Sequence, residues 1–146
     1  MKLRRFAALL LAVLMICTVF VSCSARKSLT AEEFTAACEE AGYPPEDISE
    51  YFAGMAAAAL TYSDGNVSIG YFDYLDDASA RSDYAAYLSS LPETKSKSQV
   101  DTTEYNRLLA SDDDVLYFLW RNGTKIVIIT GTETDALNGL IKNLGI

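Results

Sequence analysis

Three groups of residues in this 146-residue chain have types and spacing that could do chemistry. The first is a thiol, Cys23, at the end of an unusual N-terminus. Met1-Lys2-Leu3-Arg4-Arg5 supplies three positive charges, Phe6 to Val21 runs without a charge, and the small Ser22 precedes the cysteine. A basic start, a short apolar run and a small residue before a cut site mark a secretory signal. The second group is carboxylates: Asp73, Asp76 and Asp77, and Asp112 to Asp114. Calcium takes six to eight oxygens, and neither run matches the spacing of a calcium loop, so capping and turn formation are the expected roles. The third is the aromatic stretch Tyr117, Phe118 and Trp120, which could present a binding surface because Trp and Tyr are enriched at interface hot spots.

What is missing narrows the chemistry further. The chain has no histidine, which removes the commonest general base, the commonest metal ligand and the near-neutral pH switch. There is no G-x-S-x-G and no Gly-rich phosphate loop. A carboxylate pair could in principle hydrolyse a glycosidic bond, but the sequence shows no cleft signature. No catalytic residue, no metal ligand and no cofactor is therefore expected. Cys38 falls on an apolar helical stripe with Phe34, Ala37 and Ala41, the place of a small core residue.

The four residues Phe20-Val21-Ser22-Cys23 resemble the lipobox of bacterial lipoproteins, usually Leu-Ala/Ser-Gly/Ala-Cys. The resemblance implies that the Cys23 thiol receives a diacylglyceryl group and that a signal peptidase cuts before it. Phe20 and Val21 depart from the usual residues, and Ser22 conforms. The apolar run of 16 residues is shorter than the roughly 20 that a spanning helix needs. Two acyl chains hold a protein to a membrane stably where one does not. The expected organisation is a signal peptide over 1–22, a lipidated cysteine and short tether over 23–29, and one α+β domain over 30–146, on the extracytoplasmic face of the cell membrane.

Cutting before Cys23 removes three of the 12 basic residues and none of the 20 acidic ones, leaving nine against twenty, a net charge of −11. An acidic body does not suit nucleic acid, whose phosphates demand basic surface, nor electrostatic adhesion to anionic lipid. The implied partners are the membrane, through the lipid anchor, and an envelope protein or a small ligand.

The elements that must position these residues can be read in order. Thr30-Ala31-Glu32-Glu33 is a capping box opening a helix, with Leu29 and Phe34 as a hydrophobic staple. Gly42 and Pro44-Pro45 end that helix. Glu46 to Tyr62 is ambiguous, but the turn Ser63-Asp64-Gly65-Asn66 asks for a strand on each side, at Ala56 to Tyr62 and from Val67. Asp76 and Asp77 open a second helix with Ala80, Tyr84, Tyr87, Leu88 and Leu91 on its apolar face, ended by Pro92. Glu93 to Ser98 reads as a polar loop and Thr103 to Leu109 as a strand. Asn122-Gly123 between Val115–Arg121 and Thr124–Thr130 signals a two-residue hairpin turn pairing Trp120 with Lys125. A last helix follows, capped by Thr132 or Asp135, with Leu137, Leu140, Ile141 and Leu144 inward and Gly145 at its end. The expected fold is α+β, an antiparallel sheet of about five strands with packed helices in the order α-β-β-α-β-β-β-α. Thr30 to Tyr43 and Gly70 to Ala80 resemble small lipoproteins of Gram-positive anaerobes, a resemblance that implies no activity.

The Val115–Thr130 hairpin is apolar on both faces, whereas a sheet with one wet face alternates. Either both faces are covered or one is a binding surface. The expected function is a non-catalytic binding or accessory module contacting its partner through Trp120, Phe118 and Tyr117. A carrier of a small apolar ligand is the alternative, and a carboxylate-based hydrolase a weaker one.

Overall fold

The computed structural model describes residues 27–146. The segment expected to be a signal peptide, and Cys23, lie outside the described residues. Helix α1 (Ala31–Glu40) begins with the capping box: the Thr30 side chain accepts from the Glu33 amide, and the Glu33 carboxylate accepts from the Thr30 amide. It ends in paired reverse bonds, Tyr43 N to Cys38 O and Gly42 N to Glu39 O, with Gly42 at φ 86°. This is the left-handed C-terminal motif that glycine permits.

Next come β1 (Glu46–Asp47), a short 3-10 helix (Ser49–Phe52), β2 (Ala56–Ser63) and β3 (Val67–Tyr74). Helix α2 (Asp77–Ser90) follows, its N-cap Asp76 accepting from the Ser79 amide. Strands β4 (Ser96–Asp101), β5 (Tyr105–Asp112), β6 (Val115–Asn122) and β7 (Lys125–Gly131) lead to α3 (Thr134–Leu144). The strands form one antiparallel sheet in the order β1-β2-β3-β7-β6-β5-β4.

The expectation of about five strands in the order α-β-β-α-β-β-β-α is corrected: the sheet has seven. Both extra strands are edges. All six residues of β4 and both of β1 are exposed, so neither carries the alternation that betrays a half-buried strand. They exist through backbone pairing with β5 and β2. The loop expected at Glu93 to Ser98 accordingly ends early, and the strand expected at Thr103 to Leu109 runs as Tyr105–Asp112.

The central hairpin is also shifted in register. Asn122 pairs with Lys125 and Trp120 with Val127, so the turn residues are Gly123 and Thr124. Gly123 has φ 57° and Thr124 has no positive φ, the demand of a turn with glycine at its first central position. The shift is two residues in pairing, so the faces are those expected. Leu116, Phe118, Trp120, Val127 and Ile129 pack beneath α1 and α3, while Leu119 and Ile126 pack beneath α2 with Phe72, Tyr74, Ala80 and Tyr84. The hairpin is apolar on both sides because α1 and α3 cover one side and α2 covers part of the other. The last helix departs in one detail: its N-cap is Glu133, with no side-chain cap bond.

Candidate functional site

Helix α2 does not cover its whole face of the sheet. Its first turn is fixed at the β6–β7 turn by the ion pair of Arg121 with Asp77. Its last turn leans toward β5, where Leu88 and Leu91 meet Leu108 and Ala110. Leu91 leaves the helix in an extended conformation, and Pro92 prevents another turn. Beyond that end, β3, β7 and β6 continue uncovered. The result is a cleft of about 270 Å³ walled by Tyr87, Ser90, Leu91 and Pro92 and floored by the strands.

The strand register builds the floor in two rows. Ser68 pairs with Thr130, and Thr130 with Tyr117, giving three hydroxyl side chains across adjacent strands. The next row is Gly70, Ile128 and Leu119. Gly70 leaves room for its own neighbour: a Cβ there would lie 3.0 Å from the Phe72 ring. No charged side chain lines the cleft. Among the described residues, no hydrogen bond engages the hydroxyls of Ser68, Thr130 or Tyr117, while Ser90 donates to the Tyr87 carbonyl at 2.8 Å. Burial, and then the charge of Asp83, push the Tyr87 phenol up. The cleft thus offers neutral hydrogen-bonding groups beside apolar surface.

The three aromatic residues singled out in the sequence separate here. Tyr117 is half-buried in the cleft floor. Phe118 and Trp120 are each 1% exposed on the opposite face. The Arg107 guanidinium sits 5.2 Å from the centre of the Phe118 ring, and Tyr105 meets Trp120 edge-on at 6.4 Å. Trp120 does not face Lys125, because the true register puts Lys125 beside Asn122 and its ammonium 2.5 Å from Asp73. The cleft residues Ser68, Thr130 and Tyr87 were not recognised in the sequence. The one signal was Thr130, a polar residue that continues the apolar face of Ile126 and Ile128 on its strand.

The carboxylates are engaged structurally. Asp73 accepts from Thr124 at 2.8 Å and pairs with Lys125. Asp76 caps α2. Asp77 pairs with Arg81 and Arg121, each at 2.7 Å. Asp112 and Asp113 lie at the β5–β6 turn against Lys95, and Asp113 has φ 44°. No cluster of metal-ligating side chains occurs among the described residues.

Arg121 was missed altogether as a structural residue. It is 1% exposed and fully engaged: it donates to Asn106 Oδ1 at 2.7 Å, Asp77 Oδ1 at 2.7 Å, the Thr103 carbonyl at 2.7 Å and the Gly123 carbonyl at 3.0 Å. Asn106 in turn donates to Asp101 and to the Thr102 carbonyl. The network ties both turns at this end of the sheet to the start of α2, which sets where the helix begins and hence where the cleft opens.

No known protein family matches the chain, and no curated protein matches it. A solved structure described as a GTP binding regulator from Thermotoga maritima is similar at a TM-score of 0.49 and 10% identity, over 79% of this chain and 84% of that one.

Proposed function

We propose that the protein is a lipid-tethered extracytoplasmic binding module that receives an uncharged, amphipathic group in the cleft at the end of α2. The observation that carries this reading is the floor of the cleft, a row of three hydroxyls beside a row of apolar side chains, with no charged side chain in its lining. Such a floor suits an apolar body with one hydrogen-bonding edge. An anionic group would lose its hydration there without gaining a counter-charge, and Asp83 beside Tyr87 would repel it.

Shape favours a module over a carrier. Pockets that hold whole small ligands bury most of the ligand's surface, whereas this cleft of about 270 Å³ is a trough lying open beyond the end of α2. It accommodates an aromatic or aliphatic anchor projecting from a larger partner, the arrangement in which one buried side chain carries much of the binding energy. The tether is supported by the sequence before Cys23 alone.

The test is titration with N-phenyl-1-naphthylamine, an uncharged aromatic amine whose fluorescence rises in apolar surroundings. Saturable one-site binding is expected, and Ser68→Trp, which fills the cleft from an exposed strand position, is expected to abolish it while leaving the far-ultraviolet circular dichroism unchanged. Binding that never saturates, or that survives Ser68→Trp, overturns the assignment of the site.

A further inference from the structure

Among the described residues, five large apolar side chains are exposed: Tyr51, Met55, Leu75, Tyr87 and Val100. Tyr87 belongs to the cleft. Three of the others, Tyr51 at 81%, Met55 at 53% and Leu75 at 59%, are gathered at one end of the sheet. Ala56 pairs with Tyr74, so Met55 and Leu75 leave β2 and β3 side by side, and the Leu75 amide donates to the Met55 carbonyl at 3.0 Å. Tyr51 lies in the 3-10 helix just before them.

The same end receives the start of the described chain. The Lys27 carbonyl accepts from Asn122 Nδ2 at 3.1 Å, and the Lys27 ammonium donates to the Leu144 carbonyl at 2.9 Å. Asn122 closes β6 at the turn, and the Thr124 carbonyl accepts from the Tyr74 amide at 2.9 Å. Two strand spacings, β6 to β7 to β3, therefore separate the exit of the chain from Leu75, roughly 10 Å at the usual strand separation, and a third spacing reaches Met55 at β2. Cys23 precedes Lys27 by only four residues, a reach of roughly 14 Å when extended.

We propose that the sheet end bearing Tyr51, Met55 and Leu75 is a lipid-contact surface, pressed into the interfacial layer of the bilayer to which Cys23 holds the chain. This rests on the reading of Cys23 as the lipid tether. Exposed apolar side chains at the one end that the short tether keeps near the membrane have lipid as their nearest apolar surroundings. Their proximity is intramolecular, so weak individual contacts suffice. Lys27 and Lys125 stand at this end too, but Asp73 pairs with Lys125 and the carboxylates of Glu50, Asp76 and Glu104 leave no basic excess, so the surface suits zwitterionic rather than anionic lipid. The geometry also orients the cleft. Tyr117 lies five residues up β6 from Asn122, roughly 17 Å along the strand, and opens away from the bilayer toward a partner.

The experiment uses the membrane-extracted protein in phosphatidylcholine vesicles containing a brominated-chain lipid. An environment-sensitive dye is placed at Leu75→Cys or, as reference, at Asp114→Cys in the β5–β6 turn at the other end. Cys38 is fully buried and stays unlabelled. The expected result is a blue shift and loss of most emission at position 75, with neither at 114. A protein that floats with the vesicles while both positions remain equally open to aqueous iodide overturns the lipid-contact surface and leaves the tether standing. A protein that does not float, and whose mass lacks a diacylglyceryl group, overturns the tether and this inference together.

Discussion

The guanidinium of Arg121 lies 2.7 Å from the carboxylate of Asp77, across 44 residues of sequence, and joins the last residues of β6 to the first turn of α2. Arg121 is buried, whereas the Asp77 side chain is 40% exposed. The two partners are therefore unequal.

Replacing Arg121 by Ala leaves Asn106 and the Thr103 carbonyl without their donor and opens a cavity. Asp77 is part-exposed and keeps Arg81, so the loss comes from the two unpaired buried acceptors, about 1–3 kcal/mol each, with the cavity added to it. Asp77→Ala leaves Arg121 three other acceptors and should cost about 1.5–3 kcal/mol, the range of a hydrogen bond to a charged group. Urea denaturation of the two variants checks the order; equal losses would mean that the pair, not the wider network, is what Arg121 supports.

Two glycines are required for different reasons. Gly123 sits at φ 57° with open space around it, so Gly123→Val is opposed by backbone conformation and should cost at least about 1–2 kcal/mol, while Gly123→Asn, which tolerates that region, should cost less. Gly131 has no positive φ, but a Cβ there would stand 2.7 Å from the Asn66 carbonyl oxygen. Gly131→Ala should cost about 1–3 kcal/mol by overpacking, and no other residue should rescue it. Thermal unfolding of the three variants separates conformation from space.

How much of this was legible in the sequence follows from where side chains point. Thr30 and Glu33 announced α1 because both capping partners are local. The double apolar pattern of Val115–Thr130 left two outcomes open, two covered faces or one binding face; strand parity survives a shift of two in pairing, so the faces were right, but only packing shows that α2 covers its side in part. The edges β1 and β4 were invisible because none of their side chains is buried. Arg121 shares strand parity with Leu119, a clue to its burial, but its four acceptors come from three separate segments that only the folded chain assembles. Tyr87 was read as core because it keeps helical spacing with Tyr84; it rims the cleft because α2 leans toward β5, a packing outcome that spacing does not encode.

Trp120 is the one tryptophan of the chain and reports on the face beneath α1 and α3. It is 1% exposed, and its indole N–H has no hydrogen-bond partner. Its emission should be blue-shifted and insensitive to iodide. Trp120→Phe discards an unpaired donor along with some volume, so it should cost less than Trp120→Ala, for which about 3–5 kcal/mol is expected. Emission quenched by iodide in the folded protein would place the indole at the surface and reopen it as a contact residue.

Stability should fall at alkaline pH, with a defined onset. Burial pushes the Cys38 thiol up to about 12. Burial, then the hydrogen bond to Glu133, push the Tyr43 phenol up to about 12, and burial does the same for Tyr84. Tyr71 and Tyr74 are raised as well, burial being the main cause in each. All are neutral in the fold and lose their protons more readily once unfolded. Their contribution is therefore complete below the unfolded values of 9.0 for the thiol and 10.0 for the phenols, and is lost as pH rises through about 12. Denaturation midpoints should hold level from pH 8 to 9 as far as these groups decide them, then decline with a slope that steepens above 10. Tyr43→Phe should remove part of that slope, because a ring without the hydroxyl has no proton to release. In the same samples Cys38 should resist thiol reagents at pH 8 until the protein unfolds. A midpoint unchanged up to pH 12 would show that these phenols ionise as easily in the fold as outside it, and that the Tyr43–Glu133 bond at 2.6 Å does not hold in solution.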